Sequence, residues 1–128
     1  MKIIDEIPHE LLDAVNIFSK KLEWARRLPI YEVHKWWARR YSGVIRLFLA
    51  FTELDIEALK KVDDYISFVR SIYFNPPKVR GKKLLDPFAG GGTILIESSM
   101  LGYRSIGIEI NKLPCLVLNS LKTLPHVN

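Results

Sequence analysis

Three consecutive glycines, set between an apolar run that ends on an acid and an apolar stretch of helical character, constrain this chain more than any other feature. Residues Leu84 to Thr93 read Leu-Leu-Asp-Pro-Phe-Ala-Gly-Gly-Gly-Thr and continue into Ile94-Leu95-Ile96-Glu97. That order predicts a strand, a tight loop and a helix N-terminus. Glycines let the backbone approach a ligand closely, and the unpaired N–H groups of the following helix turn favour an electron-rich group. After one helix's worth of residues, Tyr103 to Ile110 predicts a second buried strand, with Glu109 near its C-terminal end. The pattern is that of a nucleoside-binding half-site.

Spacing narrows the ligand. A dinucleotide fingerprint needs a third glycine inside the helix for close helix–strand packing, and Leu95 stands there. A Walker A loop would put Lys before Thr93, where Gly92 stands. What remains is a compact ligand with a ribose and no phosphate. Glu109, about 20 residues past the glycines, is placed to accept hydrogen bonds from ribose hydroxyls. A plain strand–helix turn with a solvated Glu109 is the alternative; acid, glycines, helix and second acid at this spacing argue against it.

Asp86-Pro87-Phe88-Ala89-Gly90-Gly91-Gly92-Thr93, with Gly107-Ile108-Glu109-Ile110-Asn111, resembles motifs I and II of S-adenosylmethionine-dependent methyltransferases that act on amino nitrogens. The Asp-Pro-Phe opening is similar to that of the DNA adenine and cytosine-N4 branch and of some tRNA guanine-N2 enzymes. His34-Lys35-Trp36-Trp37-Ala38-Arg39-Arg40, after Ile7-Pro8 and before Arg46, resembles the N-terminal segment of large archaeal and bacterial adenine-specific DNA methylases. The resemblance implies S-adenosyl-L-methionine as cofactor. It further implies that Asp86 faces the methionine amino group, that Gly90 to Gly92 line methionine and ribose, and that Thr93 bonds the carboxylate. Glu109 would hold the ribose, and Phe88 or Ile110 would pack on the adenine or sulfonium side.

A hydrophobic fraction of 48% over 128 residues suffices for one packed core. No apolar run approaches the roughly 20 residues of a membrane span, and the start is unlike a signal peptide, so a cytoplasmic protein is expected. Cys115, the single cysteine, is expected to be a buried inert thiol, and no metal site is predicted. Absent glutamine and abundant Lys, Arg, Glu and Ile resemble thermophile usage. The net charge of +5 favours a polyanionic partner. Eight basic residues lie between Lys20 and Arg46 against Glu23 and Glu32, and five between Arg70 and Lys83 with no acid. Positive charge is thus expected before and beside the glycine loop, as DNA tracking needs.

Apolar spacing predicts helices from Pro8 to about Arg27, from about Lys35 to Phe51, from about Asp55 to Ile72 and from about Leu113 to Leu121. Asp63-Asp64 then reads as a solvated face of the third. Asn75-Pro76-Pro77-Lys78 reads as a helix stop and not as the catalytic Asn/Asp-Pro-Pro-aromatic motif, since it precedes motif I and carries Lys in the aromatic position. The segment from His34 to Tyr41 interleaves bases with aromatics. It is either a grip on phosphates and bases or a helix that buries Trp37 and Tyr41. The resemblance adds a third role, with Trp36 or Arg39 closing the cofactor pocket. His34, Lys35, Trp36, Arg39, Arg40 and Arg46 are therefore the nucleic-acid-binding or pocket-lid candidates.

The expected fold is α/β: a helical N-terminal region over residues 1–78, then a β-α-β-α unit over 79–128 forming part of a Rossmann-like class I methyltransferase sheet with an incomplete core. The expected function is the cofactor-binding subunit or fragment of a DNA adenine-N6 or cytosine-N4 methyltransferase, inactive alone. A second methyltransferase chain would bring the Pro-Pro-aromatic motif, and the isolated chain would self-associate. A tRNA or rRNA guanine-N2 methyltransferase fragment and a non-catalytic S-adenosylmethionine-binding protein stay open.

Overall fold

Helix α1 (His9–Ala25) starts where Pro8 offers its carbonyl to the N–H groups of Leu11 and Leu12, both at 3.1 Å. Its apolar stripe buries Leu11, Ala14, Val15 and Leu22. The computed structural model describes residues 1–25 and 40–121. Helix α2 (Ser42–Phe51) and helix α3 (Tyr65–Phe74) pack on α1, and Leu47, Phe51, Val69 and Tyr73 complete one apolar core. The chain start is strapped to this core: Ile3 is fully buried, and its N–H donates to the Leu54 carbonyl at 2.9 Å.

Two helix expectations are corrected. The helix expected from Lys35 begins, within the described residues, only at Ser42. Tyr41 is extended at ψ 119°, and Glu23 of α1 accepts the Ser42 N–H at 3.0 Å, capping the new helix from a neighbouring one; residues 35–39 lie outside the described residues. The helix expected over Asp55 to Ile72 is split into a 3-10 turn at Ile56–Lys61 and α3. Asp64 causes the break. Its carboxylate accepts from the N–H groups of Ile66 (3.1 Å) and Ser67 (3.0 Å), so it caps α3 from outside the helix while staying solvent-exposed; Asp63 is exposed too, as expected of both. Asn75-Pro76-Pro77 ends α3 as expected.

Strands β1 (Lys83–Asp86) and β2 (Arg104–Gly107) run parallel, with Leu84 opposite Ser105 and Leu85 opposite Ile106. Helix α4 (Thr93–Leu101) connects them and is gripped from behind by α2. A second small core of Ala50, Val79 and Leu101 joins the helical region to this unit. The β2 expectation, Tyr103 to Ile110, shrinks at both ends. Asp86 is the last residue of β1, and beyond the bond from Ile108 N–H to the Asp86 carbonyl at 2.8 Å the described residues offer β2 no strand to pair with. Helix α5 (Lys112–Leu121) follows, with Pro114 in its first turn.

Below the strands, Lys82 Nζ donates to both Glu53 carboxylate oxygens at 2.8 Å, and the Tyr103 hydroxyl donates to the same group at 3.0 Å. The bond from Lys82 is the main reason the Glu53 carboxyl titrates below its ordinary range. This network fastens the end of α2 to the N-terminal ends of the strands. No described helix is long and apolar enough to cross a membrane.

Candidate functional site

The loop between β1 and α4 is built almost entirely from backbone. Asp86, buried at the end of β1, accepts the Phe88 N–H at 3.1 Å and so turns the chain through Pro87. Ala89 N–H then donates to the Ile108 carbonyl at 2.9 Å, which zips the loop to the far end of β2. Gly92 caps α4 at φ 78°, a left-handed conformation that side chains resist, and its Cα faces Leu118 of α5, where an added Cβ would come within 2.2 Å.

The second acid closes the arrangement. Glu109 Oε2 accepts the Gly90 N–H at 2.7 Å, and Oε1 accepts the Asn111 N–H at 2.8 Å. These bonds, that from Asn111 first and that from Gly90 next, hold the Glu109 carboxyl below its ordinary range. Each oxygen keeps a lone pair for a further donor, which is what two ribose hydroxyls require. The two acids, at adjacent strand ends, thus each accept a backbone N–H of the loop, Asp86 from Phe88 and Glu109 from Gly90.

The other predicted residues fall around this centre. Gly91 and Thr93 are buried, Thr93 as the first residue of α4. Ala89 is buried beneath the loop, while Pro87, Phe88 and Ile110 stand exposed on its rim, Ile110 almost completely. Asn111 caps α5, its side-chain oxygen accepting the Leu113 N–H at 3.0 Å. The Cys115 thiol is half-buried and donates to the Glu109 carbonyl at 3.4 Å. No group of three or more His, Cys, Asp or Glu suited to a metal occurs among the described residues.

The basic candidates separate. His34, Lys35, Trp36 and Arg39 lie outside the described residues, and Arg40 is exposed just ahead of α2. Arg46, expected on a nucleic-acid surface or a pocket lid, instead turns inward. Its side chain is 12% exposed and its Nε–H donates at 2.6 Å to Glu97 of α4, whose side chain is fully buried. A guanidinium so committed is not a solvent-facing phosphate contact. Part of the second basic cluster is also relocated: Lys82 and Lys83 lie at the N-terminal end of β1, near Arg104 at the start of β2, opposite the glycine loop and not beside it. Glu97 escaped the sequence reading, although a lone acid in the apolar run Thr93-Ile94-Leu95-Ile96-Glu97 was a signal that it has a buried partner.

A comparison with known proteins bears on this geometry. Residues 78–125 match the family model described as RMKL-like, methyltransferase domain. Over 118 residues the chain is 26% identical to the type II methyltransferase M.MjaII of Methanocaldococcus jannaschii, covering 83% of this chain and 20% of that protein. The chain therefore spans about a fifth of the length of this curated relative. No solved structure matches it significantly. The two likenesses support an S-adenosylmethionine-dependent methyltransferase resembling DNA methylases.

Proposed function

We propose that this chain is the cofactor-binding part of a DNA amino-methyltransferase acting at adenine N6 or cytosine N4, completed by a second chain that carries the Pro-Pro-aromatic motif and target recognition. The bond from the Gly90 N–H to Glu109 Oε2 at 2.7 Å, which brings the second acid onto the loop that Asp86 begins, carries the reading. Glu109 would hold the ribose hydroxyls. Asp86 would attract the methionine ammonium, the turns at Gly90 to Gly92 would follow the backbone of the ligand, and Phe88 and Ile110 would cover the adenine. When bound, S-adenosylmethionine supplies an electrophilic sulfonium methyl. The role of these residues is to fix its orientation towards an incoming amino nitrogen, which needs proximity and no covalent enzyme intermediate.

The need for a second chain is supported by the sheet. Leu85, Ile106 and Ile108 remain 60%, 57% and 56% exposed on the side away from α4, whereas parallel sheets are normally covered on both faces. Calorimetry with S-adenosylhomocysteine tests the pocket: Glu109→Ala should weaken binding by about 1.5–3 kcal/mol, the scale of hydrogen bonds to a charged group. Equal affinity in both proteins would remove Glu109 from the site. Methyl transfer to DNA should appear only once the second chain is added, and light scattering on the isolated chain should show self-association. A monomer that methylates DNA unaided would overturn the two-chain reading, and transfer to tRNA in place of DNA would move the substrate to RNA.

A further inference from the structure

Glu97 lies four residues beyond Thr93, one turn below the end of α4 that meets the glycine loop. Taking a carboxylate and a guanidinium out of water is costly, and apolar residues of similar volume often join two helices at least as well. What the ion pair adds is direction, since Nε–H must point at one oxygen of one residue. Arg46 is itself held by several groups. Beyond Glu97 Oε2 at 2.6 Å it reaches Met100 Sδ at 2.9 Å, and its guanidinium carbon stands 4.5 Å from the centre of the Tyr73 ring on α3. Its helix is anchored in turn by Glu23 of α1, which accepts from both the Ser42 N–H and the Ser42 hydroxyl. Three helices are thereby referenced to one point on α4.

We infer that Arg46 is a positioning residue for the glycine loop: through Glu97 it sets the rotation and axial placement of α4, and so the placement of the backbone from Gly90 to Thr93 relative to Asp86 and Glu109. The inference deepens the proposed cofactor site and rests on it for its functional meaning. The test uses the full chain as an Arg46→Met/Glu97→Met double variant and as Arg46→Lys. The double variant should melt at or above the wild-type temperature, because an apolar pair fills the same space. It should nevertheless bind S-adenosylhomocysteine about tenfold more weakly, equivalent to ~1.4 kcal/mol. Amide hydrogens from Gly90 to Ile94 should exchange several times faster, with those of α1 unchanged. Arg46→Lys, which keeps the charge and loses the planar fork, should lie between the two proteins. Wild-type affinity and wild-type exchange in the double variant would overturn the inference. Should wild type bind no S-adenosylhomocysteine, the cofactor reading fails by itself, and loop exchange still decides the positioning role. If the double variant does not fold, loop exchange in Arg46→Lys decides it, and wild-type rates there would overturn it.

Discussion

On the face of the sheet that α4 covers, contacts are specific and polar as well as apolar: Ser98 Oγ meets Ser105 Oγ at 2.6 Å, Leu95 seats on Gly107, and Glu97 takes Arg46 from behind. On the opposite face Leu85, Ile106 and Ile108 meet solvent, with Lys83 and Arg104 exposed at their edge. The same two strands therefore have one face specified residue by residue and one that only offers apolar area. A specified face holds the geometry of a site, while a bare one serves association, so the two should respond differently to substitution.

The largest effect is expected from Arg46→Ala, which leaves the fully buried Glu97 without its guanidinium; breaking such a pair costs about 3–5 kcal/mol. Urea denaturation measures it, and a loss within the range of surface substitutions would show the pair to be solvated. Next is Gly107→Val, whose Cβ would come within 2.4 Å of Leu95 Cδ1. Overpacking of this kind costs about 1–3 kcal/mol, and truncating Leu95 to Ala in the same protein should recover part of it in a double-mutant cycle. On the bare face Ile106→Thr should change the stability of the isolated chain by no more than about 0.5 kcal/mol. It should nonetheless reduce self-association seen by light scattering; a large loss of stability with no change in association would reverse the assignment of the two faces.

The gentlest probe is acidification. The Glu109 carboxyl is held low by the N–H groups of Asn111 and Gly90. Its contribution is therefore fully present above the unfolded carboxylate value of about 4.3 and is lost as pH falls through the lower folded value. The amide resonances of Gly90 and Asn111 should titrate together in that acid window, and Glu109→Gln should abolish the shared transition.

Where structure is made from backbone and its immediate neighbours, the sequence announced it. Asp86 turns the loop and Glu109 bonds Gly90 because these contacts are local to one β-α-β unit, and Asn75-Pro76-Pro77 stops α3 by its own geometry. Asp64 was legible in principle, since an acid two and three residues before free N–H groups competes with helix continuation, but the apolar stripe running past it masked the signal. Arg46 was not legible. Charge and proximity to other bases say nothing about which face of α2 turns towards α4, and only the packed structure supplies Glu97. The placement of part of the second basic cluster failed for a related reason: closeness in sequence to β1 is closeness to its start, while the loop lies at its end.

Leu95 stands where a dinucleotide-binding helix would carry glycine, and the missing volume has been moved across the interface to Gly107. The result works as a key in a keyway. Each residue along a helix advances about 100° around its axis, so turning α4 by a single position would swing Leu95 out of its slot and drive another side chain against the strand. The slot gives the helix a coarse rotational setting, within which the Arg46–Glu97 pair fixes the finer bearing of its first turn before any ligand arrives.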